Sequence, residues 1–282
     1  MSNPTIYDQA TNAVVKMLET AGTNWCQPWQ VNGSRNVVTD KQYRGINTLI
    51  LASTPYPSGT WGTFKQWKHL GHPVRKGQKS TGIAFFKPII KETVRSDGRT
   101  EEERYMVIRS YSVFAAEQVT GYPIEVPDTA GDNHRNQQAE EYFRRTGAKV
   151  YSGLDRAYYR HSGDYIGMPA LEQFDTADAY YSTLFHELTH WTGTHNRCNR
   201  EMGRRFGDKQ YAIEELVAEL GAIFHCLHLG VIAYPKEESA KYLNSWLRVL
   251  NDDKKLVFTA SSLAQKAMDY TVSLQEEAEQ VA

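Results

Sequence analysis

Two histidines and the glutamate between them carry the most specific chemical pattern in this chain. His186 and His190 are four residues apart, a spacing that puts both imidazoles on one face of a helix. Imidazoles placed in this way can hold one divalent metal ion, and Glu187 can act as a general base toward water. The pattern therefore predicts metal-assisted hydrolysis.

The surrounding residues predict the helix that this pattern requires. Apolar and aromatic residues recur at helical spacing from Tyr180 to Trp191, with Asp175 as a candidate N-cap and Gly193 at the C-terminal end. The alternative is a helix with two core histidines, but a buried pair with a carboxylate between them is costly without a function. Motif and helix together indicate a zincin-type metallopeptidase site for Zn²⁺, with Mn²⁺ as an alternative ion.

Three residues are candidates for the third protein ligand. His195 follows the motif but falls one residue short of the last histidine in the pattern HExxHxxGxxH. The predicted helix Tyr211–Leu229 carries Glu214, Glu215 and Glu219. In gluzincins a glutamate on a following helix completes the site, and an acid four residues on supports a ligating histidine. We therefore favour Glu215 as ligand and Glu219 as its supporting residue, with Glu214 as the main rival and a solvated acidic face as the alternative.

A β-hairpin is predicted directly before the motif helix. Strand-like segments Ala157–Arg160 and Tyr165–Met168 flank the glycine-containing turn His161–Asp164. Zincins commonly place an edge strand above the metal, where an extended peptide adds as a further strand. The resemblance to zincins thus makes this hairpin the expected substrate edge.

Composition limits the class of protein. Of the 282 residues 40% are hydrophobic, and no apolar run reaches the roughly 18 residues of a membrane helix. The first residues predict an amphipathic helix and no signal peptide. Cys26, Cys198 and Cys226 are odd in number and widely spaced, which is typical of reduced thiols. We expect a globular cytoplasmic protein without a membrane segment.

The charge distribution divides the chain into two parts. Residues 1–126 carry 15 Lys and Arg against 10 Asp and Glu, whereas residues 127–282 carry 17 against 23. Between residues 29 and 95 there are 11 basic and 2 acidic residues. Such a contrast suggests two domains with different tasks, the first of which favours a polyanion.

The polar, turn-forming segment 127–136 is the best candidate for a linker between two α+β domains. The first domain, residues 1–126, is predicted to be mixed α/β, with strands over Ile83–Val94 and Tyr105–Phe114. The second, residues 137–282, is predicted to be helical apart from the hairpin.

The basic half combines the residue types of single-stranded nucleic-acid binders, in which cations follow phosphates and aromatic faces stack on bases. A domain of this size also needs an aromatic core, so each tryptophan has burial as its alternative. The predicted DNA contacts are Arg44, Lys65, Trp67, Arg75, Lys76 and Lys79.

Six segments carry a family resemblance over nearly the whole chain. Four are similar to the N-terminal domain of ArdC-type antirestriction proteins, which also begins certain plasmid-encoded primases: Trp25–Trp29, Tyr43–Asn47, Trp61–Gln66 and Val74–Gly77. Two resemble the zincin-like domain that follows it in that family: His186–Gly193 and Glu214–Leu220.

The resemblance implies a protein of a conjugative plasmid or similar element that shields incoming DNA from host restriction endonucleases. Its N-terminal domain would bind single-stranded DNA, with double-stranded DNA as a further partner, and its C-terminal domain would be a SprT-like metalloprotease. A restriction-enzyme subunit is the conjectured protein substrate. Two other readings stay open, a non-enzymatic protein that occludes DNA and has a structural metal, and a repair protease stimulated by single strands that acts on DNA-bound proteins.

Overall fold

The computed structural model describes residues 5–21, 33–94, 100–124, 136–203, 209–234, 246, 250 and 252–281 and shows a two-domain α+β architecture. Two predicted features lie outside the described residues: the segment Trp25–Trp29 with Cys26, and the linker apart from Asn136.

Seven α-helices and seven strands make up the described part of the chain. The helices α1 to α7 are Ile6–Ala21, Ile46–Ala52, Phe64–His69, Gln137–Arg145, Ala177–Thr192, Lys209–Leu229 and Leu256–Val281. The strands β1 to β7 are Arg35–Asn36, Thr60–Gly62, Thr81–Val94, Thr100–Ala115, Lys149–Tyr151, Tyr158–Arg160 and Tyr165–Gly167. Among these helices none has the length and apolar composition needed to cross a lipid bilayer.

The N-terminal domain is built on a sheet with strand order β1-β2-β4-β3. β1 runs parallel to β2, and the other neighbours are antiparallel. β3 and β4 form a long hairpin paired from Thr81↔Val113 to Val94↔Thr100, which confirms and extends both predicted strands. The Asn47 side chain exchanges two hydrogen bonds of 2.8 Å with the backbone of Ala84 and so covers part of the β3 edge.

The C-terminal domain has a three-stranded sheet of order β5-β7-β6, whose strands β6 and β7 contact α5, and helices α6 and α7 pack against α5 and each other. The predicted hairpin is confirmed as β6 and β7, which pair antiparallel with Tyr159 opposite Ile166. β5 was not predicted, because its three exposed residues are too few to show strand periodicity.

The helix that carries the histidine motif begins one residue later than predicted. Thr176 is its N-cap, and the Thr176 hydroxyl accepts a hydrogen bond of 3.1 Å from the backbone N–H of Ala179. Asp175 therefore lies one residue too early to cap the helix. Gly193 ends the helix as predicted. Nearly every side chain from Tyr181 to the end of α5 is buried, so the motif lies inside the domain.

Helices α5 and α6 approach each other closely at a glycine. A Cβ atom added at Gly221 would lie within 3.0 Å of three side-chain atoms of Thr189. The absence of a side chain at Gly221 thus lets α6 lie against the motif helix, which brings the acids of α6 to the histidines of α5.

One hydrophobic core joins the two domains. It contains Ala10 and Val14 from α1, Leu49 from α2, and many residues of α5, α6 and α7. On the hairpin, Phe86 contacts Phe258 of α7 with ring centroids 6.1 Å apart. The N-terminal domain also has two smaller clusters of its own around Trp61 and Trp67.

Candidate metal centre and nucleic-acid surface

α5 and α6 bring three of the predicted site residues together. One ligand atom from each of His186, His190 and Glu215 lies within 4.8 Å of the other two. The distance from His186 Nε2 to a Glu215 carboxylate oxygen is 3.7 Å, and that from His190 Nε2 is 3.5 Å. All three residues are buried.

The second nitrogen of each imidazole faces a different glutamate of α6. His186 Nδ1 lies 3.0 Å from Glu219 Oε2, and His190 Nδ1 lies 3.1 Å from Glu214 Oε1. A carboxylate only accepts, so each Nδ1 carries the proton and donates it. The lone pair of each Nε2 then points toward the side of the imidazole on which Glu215 lies.

Glu214 also forms an ion pair with the buried side chain of an arginine. Arg200 donates to both Glu214 oxygens at 2.8 and 3.0 Å, and the side chains are 2% and 4% exposed. Arg200 also donates to the Thr192 hydroxyl and to the backbone carbonyl of Thr189. Burial raises the pKa of Glu214, but the hydrogen bonds from His190 and Arg200 outweigh it and hold the pKa below its ordinary value. Glu214 is therefore a carboxylate that orients His190.

This donor set fits a divalent metal ion. Two imidazole Nε2 atoms and one carboxylate converge, and the remaining imidazole nitrogens are hydrogen-bonded to carboxylates, as is usual around ligating histidines. Zn²⁺ and Mn²⁺ both accept such nitrogen and oxygen ligands. The residues His186, His190 and Glu215 therefore suit the ion predicted from the sequence.

A cleft of about 670 Å³ opens beside the three residues, and Glu187, His190 and Glu215 line it. Tyr158 and Tyr159 of β6 form part of its wall. Within the described residues no strand pairs with the outer edge of β6, so the cleft lies beside an edge strand.

The β6–β7 hairpin is fixed to the end of the motif helix. Asp164 in the hairpin turn accepts hydrogen bonds from the Tyr159 hydroxyl at 2.8 Å and from the Arg197 guanidinium. Arg197 in turn stacks on Trp191 of α5, with its Cζ 3.6 Å from the ring centroid. The Arg197 hydrogen bonds lower the pKa of Asp164. This chain of contacts holds the edge strand in place beside the histidines.

The two rivals for the third ligand occupy other positions. His195 lies at the exposed rim of the cleft, where its Nδ1 is 2.9 Å from Asn199 Oδ1. Glu214 faces Nδ1 of His190 and the Arg200 guanidinium, on the opposite side of the imidazole from Glu215. Sequence reasoning did not assign Glu214 this orienting role, because the partner Arg200 lies on a loop without periodicity.

Four of the predicted DNA contacts are exposed cations of the N-terminal domain. Lys65 lies on α3, and Arg75, Lys76 and Lys79 lie on the loop that leads into β3. The loop is held by Gln118, whose buried amide donates to the carbonyl of Lys79 at 2.8 Å. Arg75 also donates to the backbone carbonyls of Val119 and Glu117.

The other two predicted DNA contacts are placed differently. The prediction for Trp67 is wrong, because its side chain is 0% exposed and its indole N–H donates to the carbonyl of Phe114 at 2.8 Å. A buried ring cannot stack on a base. Arg44 forms an ion pair with Asp269 of α7 and lines a cavity of about 440 Å³ between the domains, apart from the exposed loop.

The β3–β4 hairpin presents aromatic residues that the sequence did not single out. Phe85 and Tyr111 are 49% and 46% exposed, with ring centroids 5.3 Å apart. Phe85 pairs with Arg109, and exposed Lys87 lies two residues further along the same face. Strand alternation could have found this face, since Phe85 and Phe86 are adjacent and must point in opposite directions.

Two family models match successive parts of the chain. Residues 4–114 match the family model of the N-terminal domain of anti-restriction factor ArdC. Residues 137–263 match the family model of a zincin-like metallopeptidase.

Relatives match nearly the whole chain. It is 34% identical over 288 residues to the uncharacterized protein y4eC of Sinorhizobium fredii (strain NBRC 101917 / NGR234), covering 97% of this chain and 94% of that protein. A DNA primase TraC of Escherichia coli is 31% identical over 96% of this chain, which spans only 20% of the primase.

Two solved structures have the same architecture. The metal-free structure of the antirestriction ArdC protein from plasmid R388 matches with a TM-score of 0.80 and 37% identity, over 96% of this chain and 98% of that one. The Mn(II)-bound structure of the same protein matches with a TM-score of 0.74 and 35% identity, over the same shares of the two chains.

Proposed function

The chain belongs to the ArdC-type antirestriction family, and on that basis we propose that it binds single-stranded DNA and protects incoming plasmid DNA from host restriction endonucleases in the cytoplasm. In this proposal the zincin-like domain is a metal-dependent peptidase whose substrate is a DNA-bound protein such as a restriction subunit.

One observation carries the peptidase part of the proposal. Two imidazoles and Glu215 converge at the wall of a cleft that also contains Glu187 and two tyrosines of β6, an edge strand among the described strands. A metal that only stabilised the fold would need neither the cleft nor an additional carboxylate within it. Both are what hydrolysis of an extended polypeptide requires.

The residues of the site then have separate tasks. His186, His190 and Glu215 would hold the ion, which we expect to be Zn²⁺ or Mn²⁺. When bound, a divalent cation supplies Lewis-acid chemistry that polarises a carbonyl oxygen and makes water more acidic. Glu187 accepts the proton of the attacking water on a carboxylate oxygen and returns it to the nitrogen of the leaving amine. Glu219 and Glu214 keep the two imidazoles in the tautomer that leaves Nε2 as a ligand.

The polypeptide is proposed to bind along β6. An extended segment can add to the outer edge of this strand through backbone hydrogen bonds, with its side chains directed alternately into the cleft and away from it. The hydrogen bonds of Asp164 with Tyr159 and Arg197 would hold β6 in a fixed position beside the motif helix that carries Glu187.

The DNA part of the proposal rests on the N-terminal domain. The cations Lys65, Lys76 and Lys79 are exposed and would contact phosphates, and Arg75 would hold the loop through its backbone contacts while adding charge. Phe85 and Tyr111 replace Trp67 as the residues on which bases stack. Stacking of this kind tolerates any base, so we expect binding without sequence preference.

The test is cleavage of a purified host restriction endonuclease by the wild-type protein, with Zn²⁺ or Mn²⁺ and with or without single-stranded DNA. We expect fragments from the wild type and from the control Glu172→Gln, which changes an exposed glutamate of the same domain. Glu187→Gln should bind metal and DNA normally and cleave roughly 10²–10⁴-fold more slowly.

The other outcomes separate the remaining readings. Equal cleavage by Glu187→Gln and wild type would contradict the assignment of the site. Equally rapid cleavage of unrelated DNA-bound proteins would favour a repair protease. A wild type that protects DNA in cells but cleaves nothing would favour occlusion of DNA.

A further inference from the structure

The two faces of the sheet in the zincin-like domain carry different residues. Ile166, which is 0% exposed, shares one face with Tyr159 and with Val150, which is 40% exposed at the β5 edge. The six side-chain positions of the other face are named the tyrosine face: Lys149, Tyr151, Tyr158, Arg160, Tyr165 and Gly167.

Three rings dominate this face. The centroid of Tyr165 lies 5.0 Å from that of Tyr151 and 6.1 Å from that of Tyr158. Tyr158 and Leu154 lie over Gly167, since a Cβ atom at Gly167 would be 2.8 Å from Leu154 Cδ1 and from two atoms of the Tyr158 ring. Tyr151 is 56% exposed. The face therefore presents one exposed ring, that of Tyr151, beside the half-buried rings of Tyr158 and Tyr165.

The cations of the face surround these rings. Exposed Lys149 and Arg160 flank Tyr165 in register, on the two outer strands. Arg156, also exposed, lies with its Cζ 5.9 Å from the centroid of the Tyr158 ring.

Acidic residues are absent from the six positions of the tyrosine face, although this half of the chain carries 17 basic and 23 acidic residues in total. The nearest carboxylates along the chain are Asp155, in the loop before β6, and Asp164, which is paired with Arg197. The local charge is thus opposite to that of the domain and complements a polyanion.

We propose that the tyrosine face is a second binding surface for single-stranded DNA, an inference that rests on the proposed function. Bases stack on Tyr151 and Tyr165, and phosphates lie near Lys149, Arg160 and Arg156. A cationic surface with interleaved aromatic rings is the combination that single strands require.

The position of the face gives this second surface a role. Tyr158 belongs to the tyrosine face and also lines the candidate peptidase cleft. Arg156, which lies beside the Tyr158 ring, lines the same cleft. A strand bound on the face therefore passes beside the edge of β6. A protein held on that strand is brought to the cleft by the DNA itself.

The experiment uses the full chain and a fluorescent oligothymidine in titrations at several salt concentrations. We expect Lys149→Glu/Arg160→Glu to weaken binding at least tenfold and Tyr151→Ala roughly tenfold, whereas Tyr151→Phe, which keeps the ring, binds like wild type. None of these residues lines the cleft. The matched control Lys209→Glu/Lys266→Glu reverses two exposed cations elsewhere in the domain and should change the affinity far less.

Photo-crosslinking gives an independent readout. An oligonucleotide with 5-iododeoxyuridine should form crosslinks to the peptide that contains Tyr151 in wild type and not in Tyr151→Ala. Wild-type affinity in the face variants, with crosslinks confined to the N-terminal domain, would overturn the inference alone. In that case Phe85→Ala/Tyr111→Ala would still weaken binding. A wild-type protein that does not bind the oligonucleotide would overturn the proposed function as well.

Discussion

Each histidine of the candidate metal centre is oriented by its own carboxylate. Glu219 accepts from His186 and Glu214 accepts from His190, and both acids lie on α6 together with Glu215. The same helix therefore supplies a ligand and the groups that fix the other two ligands. A change in any of these acids should be measurable as a change in metal affinity.

Replacement of Glu219 by glutamine tests whether this carboxylate strengthens metal binding by His186. Glutamine can still accept from His186 Nδ1, but it lacks the negative charge that makes the imidazole a stronger ligand. We expect Glu219→Gln to lower the affinity for Mn²⁺ or Zn²⁺ by about 10–100-fold, measured by titration calorimetry. Glu172→Gln serves as the exposed control. Unchanged affinity in Glu219→Gln would show that the carboxylate does not support the ligand.

At this scale the sequence specified the histidines and glutamates well and the aromatic residues poorly. Spacing along a helix determines which side chains share a face, so it pairs His186 with His190 and Glu215 with Glu219. The resemblance to gluzincins joined the two pairs into one site before the fold was known. Whether a tryptophan is buried depends on contacts made by distant segments. Trp67 is enclosed by residues near 114–122, which no local pattern reveals.

At the scale of elements, the α5–α6 contact depends on Gly221. Alanine is favoured over glycine in helices by about 1 kcal/mol, so propensity alone predicts that Gly221→Ala stabilises the protein. The collision with Thr189 predicts the opposite. We expect a loss of about 1–3 kcal/mol in the free energy of unfolding, measured with denaturant, together with weaker metal binding.

The double variant Gly221→Ala/Thr189→Ala provides the control for this collision. Removing the Thr189 hydroxyl and methyl groups should restore part of the stability lost in Gly221→Ala, which a double-mutant cycle would detect as coupling. Gly221→Ala at or above wild-type stability would contradict the close packing of the helices.

A buried histidine links three helices and makes stability depend on pH. His225 on α6 lies 2.7 Å from the Gly221 carbonyl and 2.8 Å from the Thr271 hydroxyl, which also contacts Tyr142 of α4. Burial lowers the pKa of His225 to about 4. The unfolded chain, with an ordinary histidine pKa of about 6.5, binds the proton more readily between these two values.

Proton binding to His225 in the unfolded chain lowers the stability of the folded protein as the pH falls. We expect the free energy of unfolding to fall as the pH drops from about 6.5 to about 4, by about 3 kcal/mol from His225 alone. His225→Gln should reduce this slope. Burial also lowers the pKa of His228, so part of the slope should remain in the variant. An unaltered slope in His225→Gln would rule out the assignment.

Helices and strands with a clear period of apolar residues were predictable from the sequence, and short strands were not. The motif helix and the strands of the long hairpin extend over enough residues for periodicity to define them. β5 has only three residues, and its place beside β7 results from tertiary pairing. The close contact at Gly221 was likewise invisible, because it depends on which residue of α5 lies opposite.

At the scale of the molecule, the two domains are distinct in family and charge but share a core. Residues of α1 and α2 pack in the same cluster as those of α7. We therefore expect one cooperative unfolding transition by calorimetry, with coincident changes in tryptophan fluorescence and circular dichroism. Two separate transitions would mean that the shared core contributes little to the stability of either domain.

The sequence predicted two domains and their order, because composition and motifs change along the chain. It did not predict the shared core. Apolar residues of α1 have the same pattern whether they pack within their own domain or on α7, so only the fold distinguishes the two cases.

The most direct test of the account is protection of transferred plasmid DNA in restricting cells. The compared proteins are wild type, Glu187→Gln and the loop variant Arg75→Glu/Lys76→Glu/Lys79→Glu, at equal expression and with metal content measured. We predict that both variants lose protection, because DNA binding and peptide hydrolysis act in one pathway. Full protection by Glu187→Gln, with loss only in the loop variant, would contradict that claim and show that the protein protects DNA by binding it.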